Sequence, residues 1–259
     1  MENENTQSGL KKKRKGPYEA FFKRFFDFMI SLLAIIILSP VFIIVYILSL
    51  IVLKGNPIFK QYRPGKNNKI FKMYKFRSMT NKTDKDGNLL PDKDRITTYG
   101  KILRKLSLDE LPQLFNVLKG DMSIVGPRPR LVKDTIFYDK DTLGVYSVRP
   151  GITGPAQVYD RNSELSWESV FARDAEYSSK VTFINDLKLF FGTFVAIFKG
   201  GSSGGANTGS SKVEKREYYY ADYLLKSGKI TQQQYDLGIA KAKALNEKGS
   251  VTYIDELHN

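Results

Sequence analysis

Cysteine is absent from all 259 residues, and the single histidine, His258, is the penultimate one. Disulfides, thiol nucleophiles and cysteine zinc sites are thereby excluded, and no imidazole base is available in the body of the chain. Any reaction must run on carboxylates, hydroxyls, lysines, arginines or a bound hard cation. Acidic residues are also scarce: 27 Asp and Glu face 41 Lys and Arg, a formal net charge of +14. Such an excess calls for anionic partners, whether lipid headgroups, phosphorylated substrates or nucleic acid. A charge-free run narrows that choice to the first two, with no nucleic acid.

Phe28 to Leu53 carries no charge at all. A straight helix of that length would measure about 39 Å, more than a hydrocarbon core of roughly 30 Å requires. Ser39-Pro40 sits at its midpoint, and proline both lacks an N–H and clashes with the carbonyl four residues back, so the helix should kink or break there. The halves are each too short to cross alone. Basic residues, which favour the cytoplasmic side, flank both ends: Lys11 to Lys15, Lys23 and Arg24 before, then Lys54, Lys60, Arg63, Lys66, Lys69, Lys72 and Lys75 after. A hairpin that enters and returns satisfies both flanks, with the Ser39 hydroxyl available to the carbonyl that proline leaves unpaired. A kinked single span is the alternative. The run is too long for a signal peptide and lacks a small-residue cleavage site after it.

Around this anchor the chain divides into a basic disordered arm (1–17), the membrane segment (18–54), one modest catalytic domain (55–199), a Gly/Ser linker (200–211) and a helical-hairpin tail (212–259). A short β-hairpin is expected between Gly55 and Tyr74, turning at Arg63-Pro64-Gly65-Lys66, and a surface loop from Asn81 to Arg95. Apolar periodicity from Thr98 to Lys119 predicts two helices meeting at Ser107. Thr182 to Lys199 puts Phe183, Leu187, Phe190, Phe191, Phe194 and Phe198 on one face, a stripe that reads as core, with an interfacial amphipathic helix as the alternative. In the tail, Thr231 and Gln234 form a capping box opening a second helix to about Lys248. Partner binding or self-association through this tail is one reading, an inert appendage the other.

The most suggestive chemistry lies in Ser107-Leu108-Asp109-Glu110-Leu111-Pro112-Gln113. Its plain reading is a capping box, Ser107 with Glu110, and acidic residues at a helix start. The surrounding cations Lys75, Arg77, Arg104, Lys105, Arg128 and Arg130 weaken that reading: an aspartate among them would remain ionised and could serve as nucleophile or metal ligand. Gly126-Pro127-Arg128-Pro129 and Arg149-Pro150-Gly151 are stiff turns, each displaying an arginine fit for phosphate. Asp84/Asp86, Asp92/Asp94 and Asp139/Asp141 match the D-x-D metal pattern of nucleotide-sugar glycosyltransferases, but each has lysine at its centre in a polar loop, which favours solvated charge. Gly200 to Gly204 spells G-x-S-x-G without the strand, helix or histidine a nucleophile elbow needs.

In order along the chain, the basic arm, the Ser-Pro break, Lys75-Phe76-Arg77-Ser78-Met79, the Asp109-Glu110 segment, Gly120 to Pro129 and Val148 to Gly154 resemble the small monotopic phosphoglycosyl transferases of the bacterial sugar transferase family. The resemblance covers roughly 18–199. It implies an α+β, mainly helical, monotopic membrane protein with a re-entrant helix broken at Ser39 and Pro40, a small β-hairpin and interfacial amphipathic helices. It further implies an enzyme that passes a sugar-1-phosphate from a UDP-sugar to undecaprenyl phosphate and releases UMP, at the cytosolic face of the bacterial inner membrane. By that resemblance Asp109 is the nucleophile and a Mg²⁺ ligand, Glu110 completes a dyad, and Lys75, Arg77, Arg104, Arg128 and Arg149 meet phosphates. Competing readings are a membrane-bound metal-dependent glycosyltransferase releasing UDP and a non-enzymatic membrane adaptor. The tail beyond Gly200 has no counterpart in the minimal family core.

Overall fold

A computed structural model describes residues 16–159, 166–198 and 219–248. The Lys11 to Lys15 cluster, the linker, the Gly200 to Gly204 motif and His258 lie outside the described residues. The described chain is mainly helical, with two small two-stranded sheets.

After a π-helical turn, Tyr18–Phe22, the helix α1 (Lys23–Ile37) runs to Leu38 and α2 (Ser39–Leu53) departs from it at 64°. The cause is local. Pro40 has no N–H to give the carbonyl of Ile36, four residues back, and the Ser39 hydroxyl donates to that carbonyl instead at 2.8 Å. No single helix among the described residues is long and apolar enough to cross a membrane, but this bent pair passes on length and composition together.

Both limbs are gripped by the remainder of the fold. On α1, Asp27 accepts from the hydroxyl of Ser123 and the backbone N–H of Ile124, and Lys23 pairs with Asp186. On α2, the Tyr99 hydroxyl donates to the Val45 carbonyl at 3.0 Å and meets Ser49 at 2.9 Å. Their other faces stay bare: Phe21, Phe25, Ile37, Ile43, Ile44 and Ile51 are all more than half exposed. A buried polar stripe on one side of an otherwise apolar helix marks the face that docks on protein.

The expected hairpin is β1 (Ile58–Pro64) paired antiparallel with β2 (Ile70–Phe76), from Ile58 opposite Phe76 to Pro64 opposite Ile70. Its loop contains Asn67 and Asn68 in the left-handed region, where asparagine is tolerated better than most residues. β3 (Ser123–Val125) and β4 (Gly151–Thr153) pair in parallel. Asn81 to Arg95 is a loop apart from one short turn of helix, Asp92–Arg95. Two helices, Thr98–Lys105 and Gln113–Lys119, meet around Ser107 as periodicity predicts.

Two of the sequence expectations need correction. The aromatic stripe of the Phe183–Phe198 helix is not core: Phe183, Leu187, Phe191 and Phe194 are exposed, and burial falls instead on Asp186 and Leu189, with Phe190 partly buried. The buried carboxylate of Asp186 decides the orientation, because it accepts from Tyr18, Lys23 and Tyr177 and cannot be turned to apolar surroundings without losing all three. Second, Ser107 and Glu110 make no capping box. Ser107 is held at φ 57°, and no cap hydrogen bond runs from its side chain, while Glu110 turns elsewhere.

The tail helices Tyr220–Lys226 and Gln232–Lys248 pack on the catalytic fold. Thr231 and Gln234 do form their box, with Gln234 N–H on the Thr231 hydroxyl and Thr231 N–H on the Gln234 amide oxygen. Ala242 and Leu245 join Ile70, Val132, Tyr138, Leu143, Val145 and Tyr146 in one buried cluster, with Tyr220 and Phe171 against it.

Candidate active site

Between β2 and the segment from Arg104 to Gln113 lies a cavity of about 550 Å³, closed on its far side by Arg128 to Asp134. Its floor is the 3₁₀ turn Leu108–Glu110, bracketed by Ser107 and Pro112. A serine at positive φ breaks the preceding helix and proline limits the next one to starting at Gln113, so two successive carboxylates sit on a tight turn between helices. Asp109 and Glu110 are only 7 % and 8 % exposed.

Their situations differ sharply. Glu110 Oε1 accepts from Lys75 Nζ at 2.8 Å and lies 3.4 Å from an Arg128 nitrogen. Asp109 Oδ1 is buried and has no hydrogen-bond partner. Burial drives the Asp109 carboxyl up to about 6; Glu110 pushes the same way, while Lys75, Arg104 and Arg128 pull it down without cancelling the loss of water. Desolvation is the larger effect, but a value of about 6 leaves the carboxyl mostly ionised at neutral pH, as expected of an aspartate among these cations. An orphaned buried oxygen beside a ring of cations is a reactive arrangement, since the carboxylate is held ionised near neutral pH with little solvation to shed.

The cations are held with care. The Arg104 Nε donates to the Ser78 hydroxyl at 2.9 Å, within the Lys75 to Met79 segment. Gly100, one turn earlier, lets the helix lie directly on the Ser78 backbone, where any Cβ would fall 1.8 Å from its carbonyl oxygen. Asn116, fully buried, clamps the Gln113–Lys119 helix to β2 by accepting from Tyr74 N–H and donating to the Lys72 carbonyl, which fixes the strand that carries Lys75. Arg77 lines the cavity with Lys75, Arg104 and Arg128.

Arg149 does not join them. Its Nε donates to the Gly120 carbonyl at 2.9 Å, at the C-terminus of the Gln113–Lys119 helix, where Arg24 also donates to the carbonyls of Val117 and Leu118. Two guanidinium groups there satisfy the carbonyls a helix end leaves open. Half-burial and the neighbouring Arg24 charge lower the pKa of Arg149. In its place the cavity holds Arg130, already counted among the cations around Asp109, together with Arg63 and Arg95, which motif spacing did not single out. The signal for Arg63 and Arg130 was present, as arginines beside prolines, but nothing in a sequence says which such arginine turns inward.

The first aspartate of each D-x-D pair makes a local contact, and of the six only Asp92 lines the cavity. Asp139 caps a short helix by accepting from Thr142 N–H, Asp84 accepts from the N–H groups of Asp86 and Asn88, and Asp92 pairs with Arg95. Among the described residues, no group of three or more Asp, Glu, His or Cys is arranged to hold a metal. A cation held by one or two carboxylates and completed by substrate phosphates is a different case, common for Mg²⁺, and the unpartnered Asp109 oxygen fits it.

Residues 18–200 match the family model described as bacterial sugar transferase. The chain is similar to the sugar transferase EpsL of Bacillus subtilis (strain 168), 47 % identical over 169 residues that cover 64 % of this chain and 82 % of that one. It is also similar to the exopolysaccharide production protein ExoY of Sinorhizobium fredii, 36 % identical over 198 residues, covering 70 % and 87 %. The UDP-glucose:undecaprenyl-phosphate glucose-1-phosphate transferase of Klebsiella pneumoniae is 39 % identical over 190 residues, covering 69 % of this chain but 40 % of that longer protein.

Proposed function

The chain belongs to the bacterial sugar transferase family, and from that membership we propose that it transfers a sugar-1-phosphate from a UDP-sugar to a polyprenol phosphate, most simply undecaprenyl phosphate, as a membrane step of exopolysaccharide or related glycan assembly. The observation that carries this reading is the orphaned, buried Asp109 oxygen in a cavity ringed by Lys75, Arg77, Arg104 and Arg128.

In the proposed reaction an Asp109 oxygen attacks the sugar-bearing β-phosphorus. A phosphorus–oxygen bond to Asp109 forms, the bridge to the α-phosphate breaks, and UMP leaves with the electron pair. A phosphate oxygen of the polyprenol phosphate then attacks the same phosphorus, frees the Asp109 carboxylate and yields a diphosphate-linked sugar. Splitting one displacement in two lets a water-soluble donor and a lipid acceptor use one site in turn. Arg104 and Arg128 stabilise charge developing on the phosphate oxygens, and Lys75 holds Glu110 beside the nucleophile. Mg²⁺, held by Asp109 and donor phosphates, would offset charge on the diphosphate.

The bent pair α1 and α2 supports a re-entrant, monotopic placement on the cytosolic face of the inner membrane. Lys23 and Asp27 near its start and Val45 and Ser49 on its second limb are held by the same catalytic fold, which a straight span would separate to opposite faces. The exposed phenylalanines of the Phe183–Phe198 helix continue that apolar surface through Phe26 and Tyr18, whose rings pack on Phe183.

The test is Asp109→Asn with UDP-sugars and undecaprenyl phosphate. UMP release should vanish, and wild-type enzyme given donor without acceptor should gain the mass of one phosphosugar on Asp109. Release of UDP, or full UMP release by the variant, would overturn the mechanism.

A further inference from the structure

Family likeness ends at residue 200, yet the cavity wall does not: Tyr219, the residue that enters the tail, is one of its lining residues. The Arg128 to Asp134 segment joins the two ends of the cavity. Arg128 lies beside Glu110, the Arg63 guanidinium donates to the Pro129 carbonyl at 2.9 Å, and Asp134, buried, accepts from Ala221 N–H at 3.2 Å.

Tyr219 is held by a cation on its ring and by the packing of its chain neighbour. The Lys133 ammonium sits 3.4 Å from its ring centroid, and the next residue, Tyr220, is locked edge-on among Tyr138, Trp167 and Phe171. Within the cluster that holds Tyr220, Arg130 lies over the Trp167 ring at 5.0 Å. A rigid phenol, a buried carboxylate and two further arginines at one end of a phosphate-binding cavity make a surface for a polyhydroxylated ring: an aromatic face for its C–H groups and polar groups for its hydroxyls.

We propose that the C-terminal helical pair completes the donor pocket and that Tyr219 is a specificity-determining residue packed against the sugar ring of the donor. The proposal rests on the UDP-sugar reading above and deepens it. Residues outside the family core would thereby set which sugar is accepted, leaving phosphate chemistry to the core.

The experiment uses the full chain in lipid nanodiscs, with Tyr219→Ala, Tyr219→Phe and Gly238→Val. The last pushes the tail helix off Phe137, because even a Cβ at Gly238 would lie 2.3 Å from that ring. UMP release and equilibrium binding are measured with a panel of UDP-sugars, and UMP binding is measured alone. Expected are a loss of about tenfold in kcat/KM for the preferred donor in Tyr219→Ala, the scale of one aromatic packing contact, with a smaller loss for other donors and unchanged UMP affinity. Tyr219→Phe should retain most of the preference and Gly238→Val should lose it. Unchanged donor ratios in Tyr219→Ala, or an equal weakening of UMP, would overturn the proposal while wild-type UMP release upholds the enzyme assignment. Tyr219-dependent binding of UDP-sugars without any UMP release would uphold the tail's part and sink the proposed reaction. Failure of any UDP-sugar to bind would sink both.

Discussion

Two proline-stiffened turns, Gly126-Pro127-Arg128 and Arg149-Pro150-Gly151, lie backbone against backbone and yet send their arginines to opposite duties. Gly126 N–H donates to the Thr153 carbonyl and Gly151 N–H to the Pro127 carbonyl, an approach so close that a Cβ on Gly151 would fall 2.1 Å from the Gly126 nitrogen. From this shared base Arg128 enters the cavity and reaches Glu110, whereas Arg149 turns to the end of the Gln113–Lys119 helix. Stiffness is common to both; destination is set by what each meets. One arginine sits beside a buried carboxylate in an open cavity, the other against a backbone carbonyl at a helix end.

The sharpest way to separate them is to truncate each. Arg128→Ala should lower kcat/KM for UMP release by about 10²- to 10³-fold, the cost of removing one preorganised charge donor, with little change in thermal unfolding. Arg149→Ala should reverse the pattern, retaining the rate per folded molecule and losing about 1–2 kcal/mol of stability in denaturant unfolding. If Arg149→Ala proved as damaging to kcat as Arg128→Ala, with stability intact, the division between the two turns would be wrong.

Acid separates the same two roles. The rate should fall about tenfold per pH unit below about 6 as Asp109 takes up a proton, while the Arg149 contact, between a cation and a carbonyl, does not titrate in that range. Stability moves the other way at Asp109. Its carboxyl holds a proton up to about pH 6 in the folded chain but loses it near its ordinary value of 3.8 when unfolded, so raising the pH from about 4 to 6 draws stability from the native state. Asp109→Asn has no proton to lose. It should be inactive yet more resistant to denaturant at pH 7, by on the order of 1–3 kcal/mol, with the advantage fading toward pH 4. The smallest effect is expected of Arg149→Lys, which retains the charge at the helix end and should cost less than about 1 kcal/mol.

What could be read from the sequence follows the range of the interaction responsible. The elbow at Ser39-Pro40, the hairpin and the Thr231–Gln234 cap are decided within a few residues, and all three are present. Asp109, Glu110, Lys75, Arg77, Arg104 and Arg128 converge because their segments carry ordered motifs. Arg149 could not be placed, because its partner Gly120 lies 29 residues away and offers only a backbone carbonyl. Ser107 and Glu110 spell a cap, but the Lys75 ammonium, 35 residues distant, draws the glutamate off. The aromatic stripe of Phe183–Phe198 misleads for a related reason: periodicity reports one apolar face and cannot weigh it against a single buried carboxylate, Asp186, with three donors. Tyr219 carried no motif at all, since its place depends on the aromatic cluster that receives Tyr220.

The bond from the Ser39 hydroxyl to the Ile36 carbonyl spans only three positions, whereas Asp27 finds Ser123 across 96. Contacts that local close on the timescale of helix growth itself, far ahead of those that wait for distant chain. During synthesis the elbow is therefore set while most of the enzyme is still unmade, so the two limbs emerge already bent against each other at 64°.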